Sequence, residues 1–282
     1  SILYKKNDFS INGKGNIFFQ DKIDNVSYDL KMKNKVLNFE TVFKINKNPF
    51  KIDLLNYEKS ENSNLDISLK GLKNKNGKIL ISSFNLKEDK NKIALKDLGF
   101  NKNFEITELK DVYLDYIDKE NQKNSIELNK KKDQYYLVGS LFNANNLIDT
   151  LLSNKNDSSN YLNINTKLNV NIDKILLDSE YYLTNFSGEI FFKDKKIFKA
   201  KLVGDFPNKK KLKFTVNTND NNKTTTLYVD EAKPIVRHYK FIKGFDEGSL
   251  DFYSTKDLNE SFSQLKIYDF KLKELPVLTK IL

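Results

Sequence analysis

Hydrophobic and polar side chains alternate along most of this chain with a period of two. The clearest run is residues 161–173, Tyr-Leu-Asn-Ile-Asn-Thr-Lys-Leu-Asn-Val-Asn-Ile-Asp. Leu162, Ile164, Leu168, Val170 and Ile172 share one parity, with Thr166 as its soft position, while Asn163, Asn165, Lys167, Asn169, Asn171 and Asp173 share the other. Successive side chains of a strand point to opposite faces, so this segment has one apolar and one wet face. From Leu162 to Ile172 it would extend roughly 35 Å at about 3.3 Å per residue, long for a globular domain. Such a strand needs something to cover its apolar side.

The same pattern predicts strands through the first half. Tyr28, Leu30 and Met32 alternate with Asp29 and Lys31; Leu37, Phe39, Thr41, Phe43 and Ile45 alternate with Asn38, Glu40, Val42 and Lys44. Ile17 to Phe19 follow a predicted Gly13-Lys14-Gly15 turn, and Ile52 and Leu54 follow a turn at Asn48-Pro49. Leu65, Ile67 and Leu69 form the next strand. Ile79 to Phe84 follow Asn76-Gly77, a hairpin signal. Further strands are expected near 92–96, 104–109, 111–117, 124–128 and 134–141, then at 180–186, 188–193, 196–203, 211–218, 223–229, 248–254 and 263–272. Helical spacing is rare. Leu147, Ile148, Leu151 and Leu152 form one stripe on a short helix over 143–152, with Asn143 as its N-cap. A second helix fits 231–240 and a third begins at Pro276. The polar stretch 153–160 is the best internal boundary. The expected segments are 1–142, 143–229 and 230–282; their apolar parity can be covered by packing two sheets into a sandwich core or can line one continuous curled groove.

Composition sharpens this picture. The 282 residues include 21 Phe and 14 Tyr but only 4 Pro and 10 Gly, which favours long strands joined by polar turns. The net charge of +10 comes from 48 basic residues, of which only Arg237 is arginine. Sites that grip phosphate or guanine bidentately favour the arginine fork. Lysine scattered among Asp, Glu and Asn reads as a solvated face, with head-group attraction secondary and no nucleic-acid partner expected. The chain has no cysteine, so disulfides, thiolate nucleophiles and cysteine metal sites are excluded. No apolar run approaches the roughly 18–20 residues that span a bilayer. The chain opens at Ser1 and closes in an apolar run at Ile281-Leu282, so it is read as a segment of a longer protein.

The motifs carry little chemistry. The single histidine, His238, lies in the second predicted helix, and no nucleophile elbow, phosphate-binding loop or zinc-binding helix is present. Asp118/Glu120 and Asp246/Glu247 read as solvated turn carboxylates. No enzyme activity, cofactor or metal is expected.

Two stretches carry a resemblance. Residues 230–252 run from Asp230-Glu231-Ala232 through Val236-Arg237 to Gly248-Ser249-Leu250-Asp251, and residues 265–282 contain Asp269-Phe270, Pro276, Leu278 and Leu282. Val138-Gly139-Ser140-Leu141-Phe142-Asn143-Ala144, followed by Leu147-Ile148 and Leu151-Leu152, forms a strand-then-helix passage. Together these resemble the AsmA-like family of bacterial envelope proteins, in its YhdP/TamB-type branch. The resemblance covers roughly residues 135–282, and the chain departs from the family pattern at Asn143, Asn146 and Glu247. It implies a mainly β, taco-like curled antiparallel sheet with an apolar groove and about three short helices. The helices would pack at an edge or mouth of the groove. The parent would be anchored in the bacterial inner membrane, cross the periplasm and carry phospholipid toward the outer membrane, with membrane proteins as partners at both ends. Leu162, Ile164, Leu168, Val170 and Ile172, with Leu212, Phe214 and Val216 from a neighbouring strand, would contact the acyl chains. Two other readings stay open: a structural or assembly factor for outer-membrane biogenesis that conducts no lipid, and an outer-membrane barrel whose apolar parity faces outward.

Overall fold

A computed structural model describes residues 2–5, 8–19, 22–152, 165–194, 196–220, 222–238 and 244–273. The chain is mainly β and divides into two compact units, one ending at Lys132 and the other starting at Asp133.

In the first unit the strands are β1 (Ile2–Lys5), β2 (Asp8–Phe19), β3 (Lys22–Lys33), β4 (Val36–Ile45), β5 (Lys51–Ile52), β6 (Tyr57–Glu58), β7 (Leu65–Lys73), β8 (Ile79–Glu88), β9 (Asn91–Phe100), β10 (Ile106–Glu108), β11 (Asp111–Ile117) and β12 (Lys123–Lys131). The main sheet follows chain order from β1 through β4, β7, β8, β9 and β11 to β12, each pair antiparallel. The short β5 and β6 pair only with each other, inside the β4–β7 connection. The expected Gly13-Lys14-Gly15 turn is not a turn. These residues lie within β2, where Gly13 stands opposite Tyr28, and a β-carbon at position 13 would meet the tyrosine hydroxyl at 2.9 Å. Glycine here makes room for a ring across the strand pair rather than bending the chain. Leu54, expected in a strand, sits in a 3₁₀ turn at 53–55 and is exposed.

The second unit contains β13 (Gln134–Asn143), α1 (Asn145–Leu152), β14 (Thr166–Leu176), β15 (Tyr182–Lys193), β16 (Lys196–Asp205), β17 (Lys211–Asn219), β18 (Asn222–Val229), α2 (Lys233–Val236), β19 (Phe245–Lys256) and β20 (Ser261–Leu272). From β14 to β20 every neighbouring pair is antiparallel. β13 and β14 are parallel, so the sheet is mixed where an all-antiparallel one was expected. The cause is the connection through α1, which returns the chain to the end of the sheet where β13 began. Among the described residues, β13 and β20 do not pair with one another, so this sheet does not close into a barrel.

Two α-helices are described. α1 begins where the spacing predicts, and the Asn143 side-chain oxygen accepts from the Asn145 N–H at 3.2 Å. α2 is only four residues long where ten were expected, opened by Pro234 near its start. The helix expected from Pro276 lies outside the described residues. The two strands expected at 180–186 and 188–193 are one strand, β15; Asn185 at φ 51° and the register shift between Thr184 and Ser187 mark a bulge in its pairing with β16.

Candidate functional site

Strand register turns the alternating sequence into two apolar faces, one per unit. In the first unit, Leu30, Phe39, Gly71 and Ile81 stand opposite one another in turn across β3, β4, β7 and β8. A second row runs Val26, Phe43, Ile67, Leu86, Ile93, Leu114 and Ile126, ending on β12. In the second unit one row runs Tyr135, Leu168, Ile190, Ala200, Val216, and another Leu137, Val170, Gly188, Leu202, Phe214, Leu227, Phe252, Leu265. The opposite parity of the same strands carries Lys167, Asn169, Asn171, Lys199, Lys201, Lys213 and Asn217.

These rows place the expected lipid-contacting residues. Leu168, Val170, Ile172, Leu212, Phe214 and Val216 all fall on one face of the second unit. Leu162 and Ile164 lie outside the described residues. The strand bearing Leu212, Phe214 and Val216 is not a neighbour of β14: β15 and β16 lie between them. Parity puts these residues on one face, but two strands separate the segments, and side-chain alternation carries no information on strand order. Val170, Ile172, Leu212 and Val216 are buried, while Leu168 and Phe214 are half-buried.

Each face is closed at one strand end by a connection that the alternation pattern did not reveal. In the first unit residues 46–64, between β4 and β7, cross the sheet end and are tied down at three points. The Asp24 carboxylate of β3 accepts from the N–H groups of Asn46 at 2.8 Å and Lys47 at 3.0 Å, and from the Asn48 side-chain amide at 2.7 Å. Glu88, at the end of β8, accepts from the Tyr57 hydroxyl at 2.6 Å, from the Ser60 N–H at 2.7 Å and from the Ser63 hydroxyl. At the β11–β12 end the Tyr116 hydroxyl donates to the Leu55 carbonyl at 2.7 Å, and the Lys119 N–H donates to the Asn56 carbonyl at 2.9 Å. The rings of Tyr57 and Tyr116 meet edge to face, with centroids 6.0 Å apart.

The electrostatics follow from this stitching. Burial pushes the Glu88 carboxyl up, but its hydrogen bonds from Ser63, Tyr57, Asn91 and Ser60 outweigh burial and hold it below the usual glutamate value. Asp24 behaves alike: burial raises it, and the Asn48 amide with three backbone N–H groups brings it down. Burial, reinforced by the Glu88 charge, pushes the Tyr57 phenol up, so it stays a donor. Beneath this strap lies a cavity of about 660 Å³, walled by Phe43 and Ile45 of β4, Ile67 and Leu69 of β7, Phe84 of β8, and Pro49 and Phe50 of the strap. Its size falls within the roughly 300–1,000 Å³ of small-molecule pockets.

In the second unit α2 and its flanks close the end of the face. Ala232, Val236, Phe206, Leu183, Val229 and Leu250 are all at most 2% exposed there. The Ala232 N–H donates to the Gly248 carbonyl at 2.8 Å. Lys233 pairs with Asp246 at 2.5 Å, and Lys210 of the β16–β17 turn pairs with Glu231 at 2.9 Å. Arg237 reaches the β14–β15 turn, 3.3 Å from Asp178 and 2.9 Å from Glu180, and its guanidinium lies 5.4 Å from the Tyr181 ring. Hydrogen bonds and charge from Lys233 and Lys273 hold Asp246 down at about 2.

The carboxylate pairs singled out from sequence are therefore ties. Asp118 is buried and accepts from the N–H groups of Glu120 at 2.9 Å and Gln122 at 3.0 Å; Asp246 is held between two lysines. His238 follows α2, where its N–H donates to the Ile235 carbonyl at 3.3 Å. Among the described residues no group of three or more His, Cys, Asp or Glu could hold a metal ion, and no helix is long and apolar enough to cross a membrane. Comparison with protein-family models, curated proteins and solved structures gives no match for this chain.

Proposed function

We propose that the two apolar faces carry lipid acyl chains, as the AsmA-like resemblance implies. On this reading the chain is a segment of an inner-membrane-anchored periplasmic protein, each sheet curls around an apolar groove, and phospholipid moves along it toward the outer membrane. The observation that supports it most is the row from Leu137 to Leu265, which continues across eight strands, with lysine and asparagine on the reverse parity of β14, β16 and β17. Half-buried Leu168, Leu202, Phe214, Leu227 and Phe252 leave apolar surface on that face. A face of this kind in water calls for a cover or a ligand. Each buried methylene contributes about 0.8 kcal/mol, so keeping a sixteen-carbon chain out of water is worth on the order of 12 kcal/mol.

A second reading, a structural or assembly factor without lipid conduction, draws on the residues of the same face that are already covered, Val170, Ile172, Leu212 and Val216. Phe214→Asp separates the two. A charge at this half-buried position abolishes lipid binding in a carrier that keeps its fold. If the face serves only as a packed core, the same charge lowers the melting temperature and there is no lipid binding to lose.

A further inference from the structure

The apolar parity of the second unit does not stay apolar to its end. On β18 it reads Val229, Leu227, Thr225, Lys223, and on the paired β19 it reads Leu250, Phe252, Ser254, Lys256. Val229 and Leu250 are buried beneath the α2 closure. Leu227 and Phe252 follow, then the hydroxyls of Thr225 and Ser254, and last two lysines directly opposite one another. The face therefore grades from aliphatic through hydroxyl to ammonium within seven residues of each strand. That length is about 20 Å at roughly 3.3 Å per residue. Along the strands the open apolar part is the Leu227–Phe252 pair, between the hydroxyls and the buried Val229 and Leu250. Across them the row Phe252, Leu227, Phe214, Leu202 continues for about 14 Å at about 4.8 Å per strand, which matches one acyl tail, half of a hydrocarbon core about 30 Å thick.

Two like charges facing one another across a strand pair are unfavourable by themselves. Here a third is close enough to be felt: burial, then the charges of Lys256 and Lys196, pull the Lys223 ammonium below the usual lysine value. None of the three lysines has a carboxylate within ion-pair distance among the described residues, although lysines elsewhere in the unit do, at Lys167–Glu189, Lys210–Glu231, Lys211–Asp205, Lys233–Asp246 and Lys271–Glu247. A cluster that lacks its own anion, set where an apolar face ends, matches an amphiphile whose head is anionic.

We infer that Lys223, Lys256 and Lys196 bind the phosphate of a lipid head group, with Thr225 and Ser254 beside its glycerol region and one acyl chain lying across the row Phe252, Leu227 and Phe214. This rests on the lipid reading above and adds to it the residues that hold the phosphate and an orientation, head at the lysine end of β18 and β19 and tail across the apolar row.

The test is a titration of the full chain with two single-tail lipids of the same chain length, lysophosphatidic acid and monoacylglycerol, and with inorganic phosphate. It is repeated on the Lys223→Gln/Lys256→Gln double variant, with native mass spectrometry as readout. The expected result is at least tenfold tighter binding of lysophosphatidic acid than of monoacylglycerol. The double variant is expected to erase that preference while leaving monoacylglycerol affinity within twofold and the melting temperature no lower. Equal affinity for the two lipids in the unaltered chain, or a preference that survives the double variant, overturns the head-group site and leaves the lipid reading standing. Inorganic phosphate binding as tightly as lysophosphatidic acid reduces the cluster to a simple anion site and also overturns the inference. Failure of both lipids to bind removes the inference and the lipid reading beneath it.

Discussion

At the scale of single residues, what matters is how each position on the apolar parity is covered. Val170 and Phe214 share one row, yet Val170 is 7% exposed and Phe214 is half-buried. Val170→Asp places a charge where nothing is positioned to pair with it, and a loss of about 3 kcal/mol or more in urea unfolding is expected. Between them in the row stands Gly188, at φ 149°, where a β-carbon would meet the Lys201 carbonyl oxygen at 1.9 Å. Gly188→Ala is therefore expected to cost about 2–4 kcal/mol, read by the same unfolding curve, because backbone rather than a flexible side chain blocks the space. Parity made the residues of this row legible in the sequence, since Leu168, Val170 and Ile172, and Leu212, Phe214 and Val216, are each spaced by two. Which of them is covered was not legible, because cover comes from distant segments. The lysine end of the row was within reach. Extending the parity of Thr225, Leu227 and Val229 by one step arrives at Lys223, and a charge on an apolar parity is a signal that the count of lysines hides.

At the scale of elements, the two closures decide how much of each face is open. Their ties are made by polar side chains and backbone groups far apart in sequence, such as Asp24 with Asn46–Asn48 and Tyr57 with Glu88. No periodic pattern announces such pairs, so residues 46–64 read only as a turn at Asn48-Pro49 followed by a short strand at Ile52 and Leu54. Removing one tie tests the account. Tyr57→Phe leaves Glu88 one donor short in a buried site, and a loss of about 1.5–3 kcal/mol is expected, with faster amide exchange across 46–64. Acid acts on the same strap. Glu88 and Asp24 lie below their ordinary values of 4.5 and 3.8 in the folded chain, so the unfolded chain binds more protons in that range and stability rises with pH there. Their contribution is complete above those ordinary values and fades as the pH falls through the lower folded ones. The protection of amides across 46–64, taken relative to their intrinsic exchange rates, should therefore be unchanged between about pH 7 and pH 6 and should fall below about pH 4, with protection already reduced in Glu88→Gln at neutral pH. The parallel β13–β14 pair belongs to this scale as well: a short helix between two strands was readable, but the direction in which the second strand returns was not.

At the scale of the whole molecule, each unit sets an apolar face against a more polar reverse. Mainly β structure, long strands and few helices were all legible because alternation over ten or more residues allows little else. The order of strands within each sheet and the closing of one end of each face required the three-dimensional pairing. The central claim is that these faces hold lipid tails. The most direct measurement is native mass spectrometry of the chain purified from a bacterial host, with lipid extraction of the same sample, for the unaltered protein and for Phe214→Asp. The account predicts bound phospholipid in the first and its loss in the second, with the circular dichroism spectrum and melting temperature preserved. A lipid-free, cooperatively folded chain, or a Phe214→Asp variant that unfolds instead of releasing lipid, would contradict it.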